Sequence, residues 1–119
     1  MQKINLEEKF NLFQDQWNPK IVAGLNDHFI KLVKIQGEFL WHHHDNEDEL
    51  FFVVKGKMLM KFQEGDVEVN EGEMIIVPKG VEHKPVAEQE THIILLEPMA
   101  TRHTGNVNNV RTRETLEWI

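Results

Sequence analysis

From Pro19 to about residue 98 the chain reads as short β-rich runs separated by Gly, Asn and Asp, with no long helical pattern between them. Asn26-Asp27, Lys55-Gly56, Glu64-Gly65, Glu71-Gly72 and Lys79-Gly80 are the punctuation. The runs are rich in β-branched and aromatic residues. They predict strands near Lys20–Leu25, His28–Gln36, Glu38–His44, Glu49–Val54, Lys57–Phe62, Asp66–Val69, Glu73–Val77, His83–Val86 and His92–Leu96. Many strands with no long helix between them point to an antiparallel sandwich or barrel, so the fold class is mainly β. Ahead of Pro19, Asn5 to Phe13 reads as a short N-terminal helix. Asn5 can cap it, Glu7 and Glu8 suit the positive end of its dipole, and Leu6, Phe10 and Phe13 share a face.

The chain has 119 residues, which is room for one core, and no composition break marks a linker. The expected organisation is a single domain over 1–119: helix about 5–13, barrel about 20–98, and a tail, 99–119, whose Trp118 and Ile119 dock on the barrel or on a neighbour. No apolar run approaches the roughly 18 residues of a membrane helix. The charged N-terminus does not read as a secretory signal, so a cytoplasmic location follows by default. A net charge of −7 without a basic cluster argues against nucleic acid. There is no cysteine, so any metal must be held by nitrogen and oxygen.

The chemistry-bearing stretch is Trp41-His42-His43-His44-Asp45-Asn46-Glu47-Asp48-Glu49. If it enters a strand, His42 and His44 face one way and His43 the other. Two imidazoles on one face can grip one ion, and Glu49, after the acidic turn, can swing back beside them. A fourth group follows a buried run: Pro78 and Gly80 force a turn, and His83 opens the next strand. Three imidazoles and a carboxylate suit one divalent transition metal ion, Fe, Mn, Ni, Co, Cu or Zn. His28, His92 and His103 lack such context and are expected to lie away from the site. Phe51 and Val53 share the face of Glu49 and are the better candidates for a pocket wall.

These residues resemble the two motifs of the cupins. The first is His42-x-His44-x4-Glu49-x6-Gly56 and the second Gly72-x5-Pro78-x-Gly80-x2-His83. Gly37 stands five residues before His42, where the motif's leading glycine usually stands six before, and Ala87 replaces the frequent closing Asn. The resemblance implies a double-stranded β-helix, or jelly-roll barrel, with a metal inside on His42, His44, Glu49 and His83. It also implies a family of dioxygenases, isomerases, decarboxylases, lyases, storage proteins and sensors. The expected function is a metal-dependent enzyme, oxygenase- or isomerase-like, that takes a small polar molecule at open metal positions, with Glu49 as general base. The alternative is a non-catalytic cupin that binds or senses a metal or small ligand. A homodimer is expected, joined through the N-terminal helix with Phe10, Phe13 and Trp17 and through the Trp118-Ile119 end.

Overall fold

The computed structural model describes residues 1–109, 112 and 115–119. A short helix α1 (Leu6–Phe10) precedes eight strands: β1 (Lys20–Leu25), β2 (His28–Glu38), β3 (Glu49–Lys55), β4 (Lys57–Phe62), β5 (Gly65–Asn70), β6 (Met74–Val77), β7 (His83–Pro98) and β8 (Glu117–Trp118). The jelly-roll class read from the sequence is the class observed. Asn5 caps α1, accepting from the Glu8 N–H at 3.0 Å. The helix stops at Phe10 rather than Phe13, because Phe13 turns down to bury its ring beside Phe10 and Leu32.

β7 organises the sheet. Its first half pairs with β4 on one edge, and its second half pairs with β3 on that same edge; β2 runs along the other. The expectation of two strands here, broken near Glu88–Glu90, is corrected to one strand of 16 residues. Ala87 and Thr91 pair with Gly37 and Ile35 of β2, so the ladder resumes on both sides of a bulge that absorbs the polar stretch. The switch from β3 to β4 falls at Gly56. A Cβ there would meet the Thr91 hydroxyl at 2.6 Å, on a backbone with φ +98°, so only glycine fits.

Strand alternation sorts the apolar residues onto two faces. Inside lie Val33, Ile35, Phe51, Val53, Met58 and Met60 with their neighbours. Outside, Phe10, Phe13 and Leu32 form a second cluster that Val22, Val54, Ile94 and Ile119 complete. The apolar pieces expected to join two chains are therefore used largely within one. Phe10 and Phe13 are buried, Trp17 stacks on Phe39, and Ile119 packs under the helix, leaving Trp118 exposed. No helix among the described residues is long and apolar enough to cross a membrane.

A second correction concerns Glu38–His44. Residues 39–48 form a loop, touching the sheet through a lone bridge between His42 and His83. The Phe39 N–H donates to the Pro85 carbonyl at 3.0 Å, but proline has no N–H to return. The ladder ends there.

Candidate metal centre

The loop and the two strand starts converge inside the barrel. His42 and His83 exchange both backbone hydrogen bonds, at 3.0 and 2.9 Å, which sets their rings side by side at 4.3 Å. The Pro78–Gly80 turn is tied to the loop, since the Gly80 N–H donates to the His44 carbonyl at 2.7 Å and the Lys79 N–H to Asp48 at 2.9 Å. Glu49 opens β3 opposite Val77 and points inward. One ligand-capable atom from each of His42, His44, Glu49 and His83 lies within 4.8 Å of the others, and all four side chains are buried. Strand alternation was the wrong reason for His42 and His44 facing one point; the loop achieves it.

The donor set fits a cation. A carbonyl can only accept, so His42 Nδ1–H donates to Leu40 at 3.0 Å and His83 Nδ1–H to Val81 at 2.8 Å. Each ring then presents its Nε2 lone pair to the cluster, the tautomer a metal ligand needs. His83 Nε2, its proton on Nδ1, has no hydrogen bond and only the Glu49 carboxylate near it, 3.5 Å from Oε1, an arrangement that an ion between them relieves. Burial, helped by the nearby His83, pushes His42 down to about 4, so its ring is neutral at physiological pH. His44 Nε2 stands 3.1 Å from Glu49 Oε1.

A residue without a motif completes the floor. Glu97 lies one position beyond the Leu50–Leu96 pair, which places it across from Glu49. Burial and the charge of Glu49 push the Glu97 carboxyl well above its ordinary range. Burial acts on Glu49 in the same direction, but the contacts with Glu97, His44 and His83 outweigh it and hold Glu49 well below. Glu97 is thus the proton donor of the pair and Glu49 the carboxylate. Lys31 Nζ, itself buried, holds Glu97 at 2.7 Å. The signal was available: Thr91, Ile93 and Leu95 point inward, and alternation carries Glu97 to the same face.

The tail straps the loop. Asn106 accepts from the His43 N–H through its side chain, at 2.9 Å, and donates its own N–H to the His43 carbonyl at 3.0 Å. Gly105 passes so close that a Cβ would sit 2.2 Å from that carbonyl and 3.0 Å from the His42 ring. His43 itself points outward as expected. It lies between Glu82 and Asp45, and the hydrogen bond with Glu82, then that with Asp45, raises its pKa despite some desolvation.

A small cavity of about 30 Å³ adjoins His42 and Glu49. Phe51 lines it as expected, while Val53 belongs to the packed core. His103 lines it too, against expectation, because the tail folds back over the mouth. His28 and His92 do lie elsewhere: the first pairs with Asp27 and the second stacks on Phe10 at 4.6 Å.

A family model described as a cupin domain matches residues 29–98. This chain belongs to the cupins. A solved cupin-2 domain protein from Shewanella frigidimarina is 45% identical, with a TM-score of 0.79 over 80% of this cupin and 93% of that chain. A protein from Neisseria meningitidis is 34% identical, with a TM-score of 0.75 over 82% of this chain and 99% of that one. Among curated relatives, the 3-hydroxyanthranilate 3,4-dioxygenase of Ruegeria pomeroyi is 37% identical over 62 residues, which is 48% of this chain and 34% of the dioxygenase. The cupin spans roughly a third to just over half the length of the curated relatives it matches.

Proposed function

We propose that this cupin is a metal-dependent enzyme of the oxygenase or isomerase type, holding one divalent transition metal ion on His42, His44, Glu49 and His83. The observation that carries this is the convergence of four buried side chains, with one ligand-capable atom of each within 4.8 Å of the others. A bound ion there supplies Lewis acidity and, if it is redox-active, reactivity toward O₂. The protein's own part is positional. Leu40 and Val81 fix the two ring tautomers, Glu97 shares its proton with Glu49, and the apolar barrel wall keeps bulk water from the cluster. Glu49 is the group to accept a proton from a small-molecule substrate lying in the cavity. Five curated relatives are dioxygenases by name, which supports the oxygenase branch.

The test is elemental analysis of protein purified without added metal, followed by O₂ uptake and isomerisation assays across small oxygenated molecules. Near-stoichiometric metal that disappears when His42, His44, Glu49 and His83 are all replaced by Ala, with turnover of one molecule, is the expected outcome. Metal with saturable ligand binding and no product assigns the non-catalytic role, and metal that persists without the four residues overturns the reading.

The homodimer also remains our proposal, on a different face from the one the sequence suggested. The outward row Ala23–Ile30–Leu96–Leu50–Ile76 crosses five strands without a charge, about 19 Å at ordinary strand spacing. Phe52 and Met74 extend it, and Met74 and Ile76 are more than half exposed. On a chain of charge −7, an uncharged face is self-complementary, and a second copy is its natural cover. Light scattering should give a dimer that Ile76→Lys converts to monomer; a wild-type monomer at micromolar concentration overturns the proposal.

A further inference from the structure

A void of about 30 Å³ holds a water molecule or two, whereas sites for organic ligands usually offer about 300–1,000 Å³. A small molecule that meets His42 and Glu49 needs space that the closed structure does not give. That space lies next door. A chamber of about 450 Å³ stands between Ile21, Phe29 and Lys31 of the sheet and the tail with Trp118. A hollow of about 130 Å³ runs from His44 past Glu47 to Ala100 and Asn106.

One segment of the tail, residues 100–106, divides these three spaces. Among the described residues, His103 alone lines both the small cavity and the large chamber, while Ala100 and Arg102 line both the chamber and the hollow. The His103 ring is buried against Phe39, with centroids 6.0 Å apart. The segment lies outside the sheet, since β7 ends at Pro98 and β8 begins at Glu117. Its near end turns at Pro98, whose carbonyl accepts from the Thr101 N–H at 3.0 Å. Beyond that turn, among the described residues, its backbone is tied to the barrel side only where Asn106 meets His43. A segment with one turn and one backbone latch can lift without breaking a strand pair.

We propose that residues 100–106 are a lid, hinged at Pro98 and latched by Asn106 on His43, with His103 as the plug between the metal centre and the chamber. Lifting the lid withdraws the His103 ring and joins the three spaces into one of ligand size, open to His42, His44 and Glu49. That a substrate uses the joined space rests on the metal-dependent function proposed above; that the lid opens does not.

The test treats metal-free protein with diethyl pyrocarbonate, which acylates neutral imidazoles, and locates the modified histidines by peptide mass spectrometry. His42 is buried and should react only when the lid is up, while His28, with a side chain 40% exposed, reports the reagent's own rate. Asn106→Ala removes the side-chain hydrogen bond from the His43 N–H and should speed His42 modification about fivefold. His103→Ala removes the plug and should speed it at least as much, with His28 unchanged in both. Leu32→Ala, in the outer cluster, lowers the stability of the whole fold and should leave the His42 rate as it was, because local opening does not pass through global unfolding. A His42 rate that ignores both tail substitutions overturns the lid, as does one that rises with Leu32→Ala. Metal content of protein purified without added ions decides the metal-centre reading separately, since none of these rates depends on it.

Discussion

The two sides of the barrel wall treat buried polar groups in opposite ways. On the outer side, beneath the N-terminal segment, Lys34 Nζ donates to the Phe13 carbonyl at 2.6 Å and lies 4.9 Å from that residue's ring centroid. Lys20 nearby pairs with Asp15 at 2.9 Å. Each charge has a partner, and the result is a fastening. On the inner side, His83 Nε2 and His44 Nδ1 have none, and Glu49 is pressed against a second carboxyl. A fold can hold such groups only when packing elsewhere over-determines it, so the satisfied region supports the frustrated one.

The comparison breaks most visibly at the ligands. His83→Ala should lower affinity for a divalent transition metal at least about a thousandfold, about 4 kcal/mol, in competition with a chromophoric chelator. The metal-free protein should lose stability too, since a fully buried ring that donates to the Val81 carbonyl is removed, so affinities are compared at a temperature where both proteins are folded. Unchanged metal affinity would remove His83 from the centre.

Leu32→Ala, on the outer side, should do the reverse. Loss of a fully buried leucine between Phe10 and Phe13 should cost about 3 kcal/mol in urea unfolding, with metal affinity unchanged.

Acid sharpens the contrast. The His42 ring titrates near 4 in the folded chain and at its ordinary 6.5 when unfolded, so between those values the unfolded chain binds the extra proton. Stability from this group is therefore complete above pH 6.5 and falls as pH drops toward 4, by about 3 kcal/mol in all. Glu97 works against it: its folded carboxyl is raised, so its contribution is present at low pH and is lost as pH rises above its ordinary 4.5. The two slopes offset in the metal-free protein. Glu97→Gln should expose the His42 slope, as a steeper loss of unfolding free energy between pH 6.5 and 4.5 than in wild type. Parallel curves would remove the coupling argument.

The smallest effect belongs to the strap. Gly105→Ala forces a Cβ against the His43 carbonyl on a backbone with φ +58°. It should displace the loop and weaken metal binding about tenfold, the usual scale for groups that orient ligands. Outer-side stability, followed by exchange of β2 amides, should stay as it was.

Much of this was legible along the chain. The strand positions follow from turn residues and from alternation, which are local, and β1 and β4 fall where the sequence places them. The four clustered side chains stand out because their spacing around Gly56, Pro78 and Gly80 is a short-range pattern. The legible part ended where pairing between distant strands took over. Nothing near residue 97 says that its neighbour is Glu49; that follows from the register of β3 against β7. Nothing near Pro85 announces that it ends the ladder at Phe39 and leaves the histidines on a loop. The end of the tail docks on the barrel through β8 and Ile119, as the sequence suggests, but no local signal marks Asn106 and Gly105 against the histidine loop or His103 at the cavity. Periodicity within one strand determines which side chains share a face. Which faces meet is decided only when the sheet closes, because closure brings together residues that no local signal relates.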